Sequence, residues 1–275
     1  MAAPKVVVQG TQAAPPRVGL IVSAATPSGE GSRWQGGITY DPETGQPGYR
    51  TDLCDPGEND RDLPARPEVV AWDAYAIGDG IRCTALAANR TDWRAQARRQ
   101  LEAVAEYQLS AELWSGTLAT AHGYDNLFLD NGDAHDVVTS GADVGPRDAL
   151  AFLEQYLADA ARGQRGMIHA PRAIVSTWAQ DGGLRREGGL ILTTHDTIVV
   201  PGAGYPLDSG KAFATGMVEV RRGDVEITGD PLSSAEVDRD TNTVEVRAEQ
   251  VALASWDGVA HGAVNVDIDG AYDAP

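Results

Sequence analysis

Lysine is almost absent from this 275-residue chain: Lys5 and Lys211 are the only two, and every other basic residue is an arginine. Cysteine is equally scarce, with Cys54 and Cys83 alone. Two cysteines permit one disulfide but no disulfide framework. Neither belongs to a Cys-x-x-Cys pair, so zinc is not expected, and free thiols are. No apolar run approaches the roughly 18–20 residues that cross a bilayer. Val6–Val8 and Gly19–Val22 are too short, and the first residues lack the basic start and continuous apolar core of a secretory signal. Positive charge is short as well: the net charge is −18 and the pI about 4.5. That balance excludes nucleic-acid binding through a general basic surface.

Catalytic signatures are missing too. His122, His135, His169, His195 and His261 are scattered, with no His-Glu-x-x-His or His-x-His spacing, so each is expected at the surface or as a satisfied core histidine. His195-Asp196 has no nucleophile signature beside it, and Ser140-Gly141 lacks the Gly-x-Ser-x-Gly context. Gly210-Lys211 fails as a phosphate loop: Gly204 lies one residue too far away and Ala212 replaces the magnesium-holding Ser or Thr. Gly202-Ala-Gly204 lacks the third glycine of a dinucleotide site. Asp238, Asp240, Asn242 and Glu249 match positions 1, 3, 5 and 12 of a calcium loop. Thr243 stands where that loop needs glycine, and alternation begins at Val244, so a solvated acidic turn is expected. Asp130-Asn-Gly-Asp133 is a second such turn. With 40 acidic residues, chance carboxylate pairs are cheap, and none stands out as an acid and base. No cofactor, no metal and no enzymatic activity are expected.

What is present is a globular composition. Hydrophobic residues make up 42% of the chain, enough for a sizeable core, while 31 Gly and 15 Pro favour turns and long loops. Residues 1–30 are rich in Ala, Pro, Gly and Val and resemble an extended arm. Residues 31–75 hold isolated aromatics, Trp34, Tyr40 and Tyr49, among turn residues such as Asp41-Pro-Glu-Thr-Gly-Gln-Pro-Gly48. A long loop without its own core points to function or disorder. Short strands are expected at Glu68–Ala71 and Ile81–Thr84.

The clearest helix spans Asp92–Ser115, with Thr91 as N-cap and Gly116 as stop. Trp93, Ala97, Leu101, Val104 and Ala105 form its stripe, with Leu109 at the margin. Its charges oppose the helix dipole: Arg94, Arg98 and Arg99 lie near the start, Glu102, Glu106 and Glu112 toward the end. That order weakens a helix by about tenths of a kcal/mol per group. It suggests contacts with neighbouring elements or subunits. Further helices are expected over Pro146–Arg162 and from Pro171 to Gly182-Gly183, with a strand at Met167–Ala170 between them. The period then changes to two. Strands are expected at Leu190–Thr193, Thr197–Val200 and Lys211–Val220, the last joined to a strand at Val225–Thr228 through Arg221-Arg-Gly-Asp224. Asn242–Trp256 is expected to pair with Ala260–Ile268 through Asp257-Gly258. The class is α+β.

Three segments carry a resemblance. They are Leu101-Glu-Ala-Val-Ala-Glu-Tyr-Gln-Leu-Ser-Ala-Glu-Leu-Trp-Ser-Gly116, Gly202-Ala-Gly-Tyr-Pro206 with Ala212-Phe-Ala-Thr-Gly216, and Val246-Arg-Ala-Glu-Gln-Val-Ala-Leu253. In these, and in the order of its elements, the chain resembles the major capsid proteins of tailed bacteriophages, the Hong Kong 97-type fold. The resemblance implies an N-terminal arm at 1–30, an extended loop at 31–75 and a peripheral domain at 76–145 with its spine helix at 92–115. It further implies an axial domain at 146–230, and peripheral-domain strands returning over 231–275. It implies hexamers and pentamers closing into an icosahedral head around double-stranded DNA, a virion assembled in the bacterial cytoplasm, and a separate scaffold, portal or decoration protein as further partners. No membrane is involved. Trp34, Tyr40, Tyr49, Arg94, Arg98, Arg99, Glu102 and Glu106 are the expected assembly interface, and Trp34→Ala is expected to impair assembly more than folding.

Some capsid proteins cross-link a loop lysine to an asparagine; residues 31–75 contain no lysine, so no such cross-link is expected. From Arg222 to the C-terminus, 3 basic residues against 12 acidic give −9, half the net charge in the last fifth of the chain. That fits solubility or a wall that contains DNA without adhering to it. The alternatives are an encapsulin-like compartment, another virion component, or a soluble α+β enzyme with a site drawn from Asp130, Asp133, His135 or His195.

Overall fold

The computed structural model describes residues 14–27, 31–42, 68–84, 92–161, 165–229, 238 and 240–268. Tyr49, Cys54, Thr91 and Arg162 lie outside them. The chain runs α1 (Leu20–Ser23), a 3-10 turn (Arg33–Gly36), β1 (Ile38–Tyr40), β2 (Val70–Trp72), β3 (Tyr75–Thr84), α2 (Trp93–Ser115), α3 (Thr117–His122) and β4 (His135–Asp136). It continues through α4 (Pro146–Ala160), β5 (Gly166–His169), α5 (Arg172–Gln180), β6 (Leu184–Glu187), β7 (Leu190–Thr193) and β8 (Ile198–Val200). After a 3-10 turn (Leu207–Ser209) come β9 (Lys211–Gly216), β10 (Glu219–Thr228), β11 (Thr243–Ser255) and β12 (His261–Asn265). The class is α+β. Two compact units divide the chain: the smaller takes residues up to 16, 76–105 and 224–250, the larger takes 17–75, 106–223 and 251–275. No helix among the described residues is long and apolar enough to cross a membrane.

The long helix begins one residue later than the sequence suggests. Asp92 is its cap: its Oδ1 accepts the Ala95 N–H at 3.0 Å. Ala97, Leu101, Ala105 and Leu109, spaced four apart, are all fully buried, so Leu109 belongs to the core rather than the margin. Gly116 stops the helix in the left-handed region, at φ 55°. α3 follows at once, because the Glu112 carboxylate accepts the Leu118 and Ala119 N–H groups at about 3.0 Å. The third acidic residue that seemed to oppose the dipole of α2 thus caps the next helix.

In the larger unit a seven-stranded sheet runs β4-β12-β9-β5-β8-β7-β6. β5 pairs parallel to β8 and antiparallel to β9, and β12 pairs parallel to β4 and antiparallel to β9. The central strands are apolar runs rather than alternations, as expected of strands covered on both faces. Met167, Ile168 and His169 of β5 are fully buried, as is nearly all of β9. α4 and α5 pack Leu153, Leu157, Ile174 and Trp178 into one core with Ile168, Val199, Ala214 and Val264. β4 and β12 join this sheet from outside residues 146–230.

Three expectations fail. β10 runs unbroken through Arg221–Asp224, so the two strands expected to be joined there are one. Gly223 sits within this strand with the exposed Gln35 side chain beside it. The expected strand Lys211–Val220 is interrupted between Gly216 and Glu219, where the chain leaves one sheet for another. β12 is also no hairpin partner of β11. It joins the seven-stranded sheet, while β11 lies between β10 and β3 in a separate three-stranded sheet. The edge strand β6 was not expected, because its exposed Arg185, Arg186 and Glu187 carry no alternating pattern.

Candidate functional site

The residues named as an assembly surface divide into buried and exposed sets. Trp34 is only 8% exposed, held in its own chain by the 3-10 turn. Tyr40 is also tied internally: its hydroxyl donates to Glu219 Oε2 at 2.7 Å and sits 3.1 Å from Ser255 Oγ. Arg221 completes the group with an ion pair to Glu219 at 2.8 Å. Burial, above all, pushes the Tyr40 phenol up to about 12.

Glu106 is 2% exposed. Its two carboxylate oxygens accept the N–H groups of Leu20 at 2.6 Å and Ile21 at 2.8 Å. Burial raises its pKa, against the lowering effect of those amides, the Ala203 amide and Arg172. Glu106 therefore fastens the segment around α1 to its own α2. Its partners lie 86 and 85 residues away, so no local signal reveals this role.

The same stretch of α2 receives the loop Gly202–Pro206. Gly204 N donates to Ser110 Oγ at 2.8 Å, and the Ser110 hydroxyl donates to Glu106 O at 2.6 Å. A Cβ on Gly204 would lie 2.5 Å from the Ala111 nitrogen. Tyr205 then packs against Trp114, and Trp114 edge-on against Phe213. Beneath them lies His169, fully buried, 2.8 Å from the Tyr205 hydroxyl and 3.0 Å from Thr215 Oγ1. The Thr215 hydroxyl donates to Gly216 O, so it accepts from His169 Nε2–H, and Nδ1 accepts from Tyr205. Burial drives the imidazole down to about 3. It is a satisfied core histidine.

Arg94 and Arg98, with Glu102, are exposed. Arg94, Arg98 and Arg99 line a cleft of about 580 Å³ with Asp92 and, from β10, Val225 and Ile227. Arg94 Nη2 donates to Ile227 O at 3.3 Å. Arg98 and Arg99 make no hydrogen bond or ion pair among the described residues.

Of the residues named for an enzyme, Asp130 and His135 engage their side chains with other partners, whereas Asp133 and His195 engage their backbone N–H groups. Asp130 pairs with Lys211 at 2.6 Å. Asp133 N–H donates to Asn131 in a local turn. His135 stacks on Tyr156. His195 N–H donates to Thr193 Oγ1 at the β7–β8 turn. The Asp238 carboxylate folds its own turn, accepting Asp240 N–H at 2.9 Å and the Thr241 hydroxyl at 2.7 Å. Among the described residues no three His, Cys, Asp or Glu side chains gather into a metal site.

No protein-family model matches the chain, and no curated protein does. Solved structures do. The capsid of a native GTA particle aligns over 96% of this chain and 95% of its own, with a TM-score of 0.56 at 11% identity. A structure from Mycobacterium phage Bobi aligns over 97% of this chain and 95% of its own, with a TM-score of 0.54 at 11% identity. The chain has the Hong Kong 97-type capsid fold. The holo-SrpI encapsulin complex from Synechococcus elongatus PCC 7942 also aligns, over 100% and 96%, with a TM-score of 0.55 at 14% identity. At such identities the Hong Kong 97-type fold is kept by packing pattern rather than by shared residues. In this chain the pattern is a long helix with a four-residue apolar repeat and a central sheet buried on both faces.

Proposed function

We propose that this chain is the subunit of a self-assembling protein shell, a bacteriophage-type head that encloses double-stranded DNA. The observation that carries this is alignment over about the whole of both chains with a GTA capsid and a phage structure. On this reading residues 1–30 form the arm, 31–75 the extended loop and 76–145 the peripheral domain with α2 as spine. Residues 146–230 form the axial domain, and 231–275 return to the periphery. The net charge of −18 suits a wall that must hold DNA without gripping it. The chemistry is mechanical: modest contacts repeated around a ring add up through multivalency.

A second reading, an encapsulin-type compartment, is favoured by the alignment with the Synechococcus complex. Particles recovered from cells that make the chain decide between them. Nuclease-protected DNA inside the shells supports the head; a protein cargo without nucleic acid supports the compartment. A chain that sediments only as a monomer or small oligomer refutes both.

A further inference from the structure

Within the smaller unit, two charged features have no use inside their own chain. The first is the cleft between the start of α2 and the far half of β10. Its Arg98 and Arg99 have no partner among the described residues, and its one acid, Asp92, is engaged in capping Ala95. These arginines sit in the second turn of a 23-residue helix and face no acidic partner of their own chain among the described residues. Val225 and Ile227 give the cleft a half-buried apolar floor.

The second feature is the turn between β10 and β11. Asp238 pairs with Thr243 through N–H···O bonds of 2.8 and 3.3 Å, and Asn242 takes the left-handed region at φ 52°. The Asp238 carboxylate is consumed by the turn, and the hydrogen bonds it accepts hold it below the usual range. The Asp240 carboxylate is exposed and makes no bond among the described residues. The tip thus offers a preformed loop with one free acid. In sequence, the stretch 230–249 carries six acidic residues against Arg239 and Arg247, and among the described residues Arg82 pairs with Glu245 and acts on Asp238, while the Asp240 carboxylate stays unpaired.

We infer that the arginine cleft receives the turn carrying Asp240, Thr241 and Asn242 of a second copy of this chain. The inference rests on the shell reading above and names one contact within it. Two unlike, complementary patches on one chain make a head-to-tail contact, and head-to-tail contacts repeated by rotation close into rings. The free Asp240 carboxylate meets Arg98 or Arg99 in a charge-assisted hydrogen bond, while the Thr241 and Asn242 backbone covers Val225 and Ile227. Arginine suits the task because its planar fork binds a carboxylate through two parallel bonds.

Charge exchange tests the contact. The full chain is prepared as wild type, as Arg98→Glu with Arg99→Glu, as Asp240→Arg, and with all three changes together. The fraction in particles is measured by sedimentation velocity at matched concentration. Each partial reversal is expected to cut that fraction by about 10-fold or more, and the combination to restore it to within about threefold of wild type. Circular dichroism confirms folding; if a reversal unfolds the chain, Arg98→Gln with Arg99→Gln and Asp240→Asn replace it and must each weaken assembly. Particles that form equally well with either partial reversal, or a folded triple variant that stays dissociated, overturn the contact and leave the shell reading standing. A wild type that never forms particles overturns the shell reading and the contact with it.

Discussion

Acidification should weaken the dissociated subunit through His169 before most carboxylates titrate. In the folded chain burial holds this imidazole down to about 3, whereas in the unfolded chain it titrates near an ordinary 6.5. A lowered folded value means that the unfolded state binds the proton more readily. Stability is therefore full above about pH 6.5 and is lost as pH falls toward 3. From pH 8 to pH 5 the loss from this residue is about 2 kcal/mol. That figure is set by the unfolded value, because the folded histidine is neutral at both pH values. His261, also lowered by burial, acts in the same direction. Glu106 and Asp257, raised by burial, act in the opposite one. Comparison with His169→Gln removes these shared terms. Glutamine cannot titrate, so the stability gap between wild type and variant should shrink by about 2 kcal/mol between pH 8 and pH 5. In thermal melts that is roughly 4–8 °C of Tm for a chain of this size. A gap that stays constant within about 0.5 kcal/mol would refute a neutral, buried His169.

Substitutions at three positions probe the packing of the larger unit. Gly204→Ala drives a methyl into the Ala111 backbone; it should destabilise the subunit by about 2 kcal/mol or more in urea unfolding, and a neutral result would contradict the close approach. Glu106→Ala leaves the Leu20 and Ile21 N–H groups without their acceptor. It should cost about 2–4 kcal/mol and speed hydrogen exchange at those two amides. Glu106→Gln, which keeps one acceptor oxygen, should lose about half as much. Trp34→Ala should lower the stability of the dissociated subunit by about 3 kcal/mol, since Trp34 is buried in its own chain; an assembly defect with unchanged subunit stability would reverse that placement.

Element types were legible where the pattern was long and uniform. The four-residue repeat of α2, the Pro146 start of α4 and the strand Leu190–Thr193 all stand where their residues place them. Pairing was not legible, because a period of two announces a strand without naming its neighbour. Ala260–Ile268 thus looked like the hairpin partner of β11, yet β12 pairs with β9 and β4. Arg221-Arg-Gly-Asp224 read as the join between two strands because its polar residues and glycine break the apolar pattern, yet β10 runs through it unbroken. Trp34 was expected at an interface because its sequence neighbours are polar, yet it is only 8% exposed within its own chain. Glu106 was hidden as well. A glutamate on a helix is ordinarily solvated, and only the arrival of the Leu20 and Ile21 amides gives it a buried role.

Electron cryomicroscopy of the purified, concentrated full chain tests the shell claim most directly. The account predicts closed shells of icosahedral symmetry whose repeating density fits this subunit, with the arginine cleft of one copy against the acidic tip of another. Monodisperse monomers or small open oligomers at the same concentration would contradict it.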